Sequence, residues 1–169
     1  MRLSKNFTLN EMIKSTVALR KNIDNTPSQI HVENLRKVVT HILQPIRDRF
    51  DKPVLVSSGY RSIALCEAIG SSKFSQHALG QAVDFEIMGV SNLKVAMWIS
   101  NNCDFDQLIL EYWNGEANSG WVHCSYKNSD DNRKEYLIAF RDANGKTAYQ
   151  KEYSATTGPT TEEVNESLI

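Results

Sequence analysis

Between residues 26 and 52 the apolar positions Ile30, Leu35, Val38, Val39, Ile42, Leu43, Ile46 and Phe50 recur at the spacing of one helix face. Thr26-Pro27-Ser28-Gln29 opens that pattern with an N-cap residue, a proline at the first helical position and a glutamine three residues after the cap. Pro45 falls inside the run and predicts a kink, and Lys52-Pro53 ends it. Upstream, Thr8-Leu9-Asn10-Glu11 reads as a capping box that opens a short helix. Residues 62–69 predict another helix, and Leu93–Ile99 a third, capped by Ser91 or Asn92.

The remaining patterns have strand periodicity. Val54-Leu55-Val56 is a short β run, and Val83–Ile87 alternates. Gln107–Trp113 and Trp121–Tyr126 flank the turn-rich stretch 114–120. Tyr136–Arg141 and Thr147–Tyr153 flank Asn144-Gly145, the dipeptide suited to a type I′ turn. Early helices followed by antiparallel hairpins predict an α+β fold, an antiparallel sheet with helices packed on one face. One domain over residues 1–153 is expected. The Thr/Glu/Ser-rich stretch 154–169 lacks the apolar content to pack and predicts a disordered tail.

Composition narrows the function classes. A net charge of −1 over 169 residues argues against the broad basic face that nucleic-acid binding needs. No apolar run approaches the ~18 residues of a membrane span, and the first residues lack the apolar core of a secretory signal. The expectation is therefore a monomer made in the cytoplasm without membrane insertion. Cys66, Cys103 and Cys124, odd in number and outside any CxxC pairing, read as free thiols.

The chemistry concentrates in Ser75-Gln76-His77-Ala78-Leu79-Gly80-Gln81-Ala82-Val83-Asp84. His77 and Asp84 are too far apart for one helix face and suit a loop ligand followed by a strand ligand. Imidazole nitrogen and carboxylate oxygen are both zinc donors, and a catalytic zinc site uses three protein ligands with one position open. His123, in Trp121-Val122-His123, is the third candidate ligand. A hairpin symmetric about Ala117 would set Glu111 directly opposite His123 on one face and pair Trp113 with Trp121. Glu111 would then stand beside a metal-bound imidazole as a general base. Arg61 follows the Val54–Val56 strand in Ser-Gly-Tyr-Arg-Ser, where a guanidinium could stabilise an oxyanion or grip a substrate carboxylate. Trp113, Trp121 and Tyr112 suit either the core or a cleft wall.

At these positions the sequence resembles the zinc D-Ala-D-Ala carboxypeptidases and peptidoglycan endopeptidases of peptidase family M15, which share the hedgehog/DD-peptidase fold. The family pattern Ser-x-His-x-x-Gly-x-Ala-x-Asp matches Ser75, His77, Gly80, Ala82 and Asp84, with Ser-Gly-Tyr-Arg-Ser upstream and Trp-x-His downstream. The likeness spans about residues 5 to 128 and is strongest to small phage-type members, a resemblance that implies a phage endolysin. It implies one Zn2+ held by His77, Asp84 and His123, with Arg61 stabilising the oxyanion or orienting substrate and Ser75 contacting substrate. The substrate implied is a peptidoglycan stem peptide. Many members place a general-base Glu three residues before the last His, where this chain has Gly120. Either Glu111 supplies the base or the site lacks a strong one; the expected hairpin favours Glu111. Two rival readings follow: a non-catalytic zinc-containing wall-binding or virion module, and a zinc hydrolase with a substrate outside the cell wall.

Overall fold

The structure, a computed structural model, describes residues 1–151. Residues 152 and 153 of the last expected strand, and the stretch 154–169, lie outside the described residues. The helices are α1 (Leu9–Ile13), α2 (Thr16–Lys21), α3 (Gln29–Val38), α4 (Gln44–Phe50), α5 (Ile63–Ala68) and α6 (Asn92–Asn102). The strands are β1 (Val54–Ser58), β2 (Ala82–Ile87), β3 (Gln107–Glu111), β4 (Trp121–Ser125), β5 (Glu135–Arg141) and β6 (Thr147–Lys151). They form one six-stranded sheet in the order β1-β2-β4-β3-β5-β6, antiparallel except for the parallel pair β3 and β5. The fold is α+β, as the periodicity predicts.

The strand alternation sorts the sheet into two faces. Val83, Phe85 and Ile87 of β2, Leu108 and Leu110 of β3, and Val122 and Cys124 of β4 are buried in one cluster. Leu35 and Val38 of α3, Ile46 of α4, and Val95 and Ile99 of α6 complete it from the helical side. The opposite parity puts Asp84, His123, Ile109 and Glu111 on the other face. The core face therefore holds the molecule together and leaves the second face for polar groups.

The long helical pattern resolves differently from a single kinked helix. Its first turn begins at Gln29 with Ser28 as N-cap, two residues later than Thr26 implies. The Thr26 amide is instead taken by the Asp24 carboxylate at 2.9 Å. Between α3 and α4 the residues Val39–Leu43 form a π-helical turn, where the Gln44 amide reaches back five residues to the Val39 carbonyl. Proline has no N–H and its ring crowds the carbonyl four residues back. A widened turn just before Pro45 accommodates both problems while keeping Ile42, Leu43 and Ile46 buried. The capping box at α1 forms as expected: Glu11 accepts from the Thr8 amide at 2.7 Å and from its hydroxyl at 2.6 Å.

Two hairpin expectations are corrected. Asn144-Gly145 does not make a two-residue type I′ turn. Arg141 pairs with Thr147, the Gly145 amide bonds the Asp142 carbonyl at 2.9 Å, and only Gly145 of the two turn residues has positive φ. The Asp142 carboxylate accepts from the Asn144 and Lys146 amides, which favours this longer turn. In the β3–β4 hairpin, His123 faces Ile109 and Glu111 faces Trp121, so the register differs by two residues from symmetry about Ala117. Trp113 lies beyond the strand and packs on the core.

The cause of that register is local. Gly120 has φ of 66° and lies against the Glu111 carbonyl so closely that a Cβ there would collide with it. Tyr112, at φ of 53°, turns the chain out of β3 immediately after Glu111. A two-residue slip keeps side-chain parity, so Glu111 stays on the face that carries His123. Gly120→Ala is expected to cost at least ~2 kcal/mol, since the left-handed conformation alone costs ~1–2 kcal/mol. Thermal unfolding should record it as a drop of roughly 4–8 °C at about 2–4 °C per kcal/mol. An unchanged midpoint would contradict this account of the turn.

Candidate metal centre and active site

Asp84 and His123 are cross-strand partners in the β2–β4 ladder, on the face away from the helices. Facing residues in such a ladder have their Cβ atoms about 5 Å apart, within reach of a direct contact between the side chains. His123 Nδ1 lies 2.8 Å from Asp84 Oδ1. Both residues are buried.

His77 arrives from a loop folded on itself. The Ala78 amide bonds the Ser75 carbonyl at 2.9 Å, and the Gly80 amide bonds the His77 carbonyl at 3.2 Å. Gly80, at φ of 68°, packs against α3 so closely that a Cβ would come within 2.6 Å of the His31 carbonyl oxygen. This explains why the motif needs glycine here. The His77 Nδ1 donates to the Gly59 carbonyl at 2.7 Å, which fixes the tautomer and directs Nε2 to Asp84 Oδ1 at 3.3 Å. Gly59 in turn has no room for a side chain against the Met12 carbonyl.

Arg61 enters by a bulge in β1. Val56 pairs with Phe85 and Ser58 with Asp84, so one extra residue, Ser57, is inserted and the strand end is re-aimed. The Arg61 amide bonds the His77 carbonyl at 3.1 Å. Its Nη2 donates to Asp84 Oδ2 at 2.6 Å and its Nε to Ser58 Oγ at 2.7 Å. One carboxylate is thus shared: Oδ2 is held by Arg61, and Oδ1 faces both imidazoles.

The electrostatics follow from that sharing. Burial alone would raise the Asp84 carboxyl, but His77 and His123 outweigh it and hold the group well below the usual carboxylate range. Burial lowers the His77 imidazole, with Asp84 opposing in part, so a neutral, metal-ready ring is favoured. His77, Asp84 and His123 each offer one ligand atom, and all three atoms lie within 4.8 Å of one another. Two imidazole nitrogens and one carboxylate oxygen, with the His77 ring and the carboxylate braced by outer hydrogen bonds, fit a zinc ion that keeps a fourth position open.

The cluster lies in an open cleft of about 820 Å3. Along one wall run Glu111, Tyr112, Trp121, Arg141 and Tyr149; Ser75, which accepts from the His77 amide through Oγ at 3.3 Å, also lines it. Tyr112 and Trp121 are therefore cleft residues, 5.4 Å apart between ring centres. Glu111 is half-buried and diagonal to His123 rather than opposite it. Burial pushes its carboxyl above the ordinary range, with His123, Arg61 and Arg141 opposing and Asp84 adding to the rise. Position 120, where a carboxylate would match the Glu-x-x-His pattern, has no space for any side chain. Gln76, Gln107, Lys127 and Arg133 also line the cleft. Sequence reasoning missed them because isolated polar residues with no fixed spacing carry no local signal.

Residues 5–125 match the family Peptidase M15, a span that contains Arg61, Ser75, His77, Asp84, Glu111 and His123. Comparison with curated proteins gave no match. Among the described residues no helix is long and apolar enough to cross a membrane. The match covers most of the chain and includes His77, Asp84 and His123, and the chain belongs to peptidase family M15.

Proposed function

We propose that the protein is a zinc metallopeptidase that hydrolyses a peptide bond in peptidoglycan stem peptides, as a D-Ala-D-Ala carboxypeptidase or an endopeptidase, within a single domain over residues 1–153. The observation that carries this reading is the convergence of His77 Nε2, Asp84 Oδ1 and His123 Nδ1 in a cleft that also holds a half-buried carboxylate. Membership in the M15 family supports the peptidase chemistry. The cell-wall substrate rests on the motif resemblance.

Bound zinc would polarise the scissile carbonyl and lower the pKa of a water molecule to about 7. The protein's own groups do the rest. Glu111 accepts the proton of the attacking water and returns it to the leaving amine, and its raised pKa suits both transfers. Arg61 already commits Nη2 to Asp84 and Nε to Ser58, so it orients the carboxylate. Its remaining Nη1 is the donor for a developing oxyanion or a substrate carboxylate. Ser75 contributes a hydroxyl to the substrate side of the cleft. A non-catalytic zinc module is the second reading, favoured by Gly120 where a base is expected.

His77→Ala and His123→Ala should each abolish zinc binding and hydrolysis of defined muropeptides, read by metal analysis and mass spectrometry. Glu111→Gln should retain one zinc per chain and lose turnover by roughly 10²–10⁴-fold, the usual worth of general acid–base catalysis. Normal turnover in Glu111→Gln would remove Glu111 as the base. Zinc retention with no hydrolysis by the parent protein would favour the binding module.

The Glu111 carboxyl also has a titration signature. In metal-free protein its NMR midpoint should lie above the ~4.3 of a solvated glutamate, because burial disfavours the charged form. Zinc loading should move the midpoint down, since a nearby cation stabilises the carboxylate. The ionised base is lost as pH falls, so any acid limb in kcat/KM due to Glu111 should vanish in Glu111→Gln. A metal-free midpoint at or below ~4.3 contradicts its burial in the cleft wall.

A further inference from the structure

Four cationic side chains, Arg61, Lys127, Arg133 and Arg141, line the cleft against two acidic ones, Asp84 and Glu111. Arg61 is spent on Asp84. Lys127 and Arg133 share a different partner, and that partner does not face the cleft. Asp106 is 0% exposed and absent from the cleft wall. It accepts from Arg133 Nε at 3.0 Å and Nη2 at 2.7 Å, from the Arg133 amide at 3.1 Å and from Gln76 Nε2 at 2.9 Å. Lys127 Nζ stands 3.1 Å from the same carboxylate.

One buried anion thus holds two cations from behind. Their side chains remain 33% exposed at Lys127 and 49% exposed at Arg133. Glu135 lies 3.5 Å from Arg133 Nη1 but is itself bonded by Gln107 at 2.7 Å and does not line the cleft. Asp106 and Glu135 both offset these cations from behind the wall, so the groups turned toward the cleft are the cationic N–H donors themselves. Their side chains are already ordered, so binding an anion there costs little further rotamer entropy.

The strand registers place this patch relative to the metal cluster. Asp84, His123 and Ile109 form one row across the sheet. Glu111 and Trp121 form the next row on one side, two residues along the strands. Gln107 and Ser125 lie two residues along in the other direction, with the Gln107 amide bonded to Ser125 Oγ at 3.0 Å. Lys127 lies two residues beyond Ser125, past the end of β4, and its ammonium reaches Asp106, the residue before Gln107. Two residues of strand correspond to about 6.6–6.8 Å, which is also the spacing of alternate side chains in an extended peptide.

We propose that Lys127 and Arg133, set by Asp106, form a carboxylate-binding subsite that takes a free carboxylate of the peptide substrate one or two residues from the scissile bond, on the side away from Glu111. This deepens the peptidase reading of the cleft and rests on it. Both residues lie beyond the family-matched span 5–125. The carboxylate has two sources in a stem peptide: the free α-carboxylate of a γ-linked glutamate, or the C-terminus.

The test titrates the zinc-loaded full chain with three versions of one stem tetrapeptide: the native acid, the form with the internal glutamate carboxylate amidated, and the form with the C-terminus amidated. Stopped-flow fluorescence of the cleft tryptophan Trp121 reads Kd within milliseconds, before turnover, and hydrolysis is followed separately. One amidated form should bind about two- to fivefold more weakly than the native acid, the worth of one half-exposed charge pair. Which form weakens identifies the source. Lys127→Gln, which leaves Arg133 on Asp106, should remove most of that discrimination, and Lys127→Glu should reverse it. Equal binding of all three peptides by the parent protein, or equal weakening of all three by Lys127→Gln, overturns the subsite. Discrimination without hydrolysis would leave the subsite standing and sink the peptidase reading; hydrolysis without discrimination would do the opposite.

Discussion

The Asp84 carboxylate is the constraint around which the rest of the molecule is arranged. Its Oδ2 is bound by Arg61 and its Oδ1 is shared by His77 and His123, all in a buried setting. A carboxylate in that position is costly to bury unless its partners are placed with accurate geometry. Each partner comes from a different part of the chain. His123 is fixed by the β2–β4 ladder, Arg61 by the β1 bulge, and His77 by a loop sealed against Gly59 and α3. The two close approaches at Gly59 and Gly80 exist because the backbone must come near enough to deliver those side chains.

The division of the sheet into two faces makes this arrangement affordable in stability terms. Leucine, valine and phenylalanine side chains on the helix-covered face supply the apolar burial that drives folding. The other face is then free to hold groups that do not favour folding by themselves, including Asp84, Glu111 and the cations of the cleft. A cation bound between His77, Asp84 and His123 would convert the least comfortable cluster of the structure into a stabilised one by mass action. Asp106 shows the same logic without a metal: a buried anion is tolerated because five neighbouring donors satisfy it.

Much of the site was legible in the sequence where the information was local. Ser75 to Asp84 announces a histidine on a loop and an aspartate on a strand, and the parity of β3 and β4 sets Glu111 and His123 on one face. The β3–β4 register differs by two residues from hairpin symmetry because it depends on left-handed turns at Tyr112 and Gly120, which symmetry does not anticipate. The helix at 29–50 was visible, but the π turn before Pro45 was not, since apolar periodicity is nearly the same for both geometries. The turn at Asn144-Gly145 departs from the two-residue form because the Asp142 side chain captures two amides and selects a longer loop. Gln76, Asp106, Lys127 and Arg133 were invisible for a different reason: they meet only in three dimensions, with no periodic spacing to mark them.

The account stands on a mixed nitrogen–oxygen cation site at Asp84. X-ray absorption at the zinc edge of the purified, zinc-loaded chain tests it most directly. The prediction is one zinc per chain with only nitrogen and oxygen neighbours at about 2.0–2.2 Å, two of them imidazoles, and loss of that signature in His77→Ala. Sulfur neighbours at about 2.3 Å, or an unchanged spectrum in His77→Ala, would contradict it.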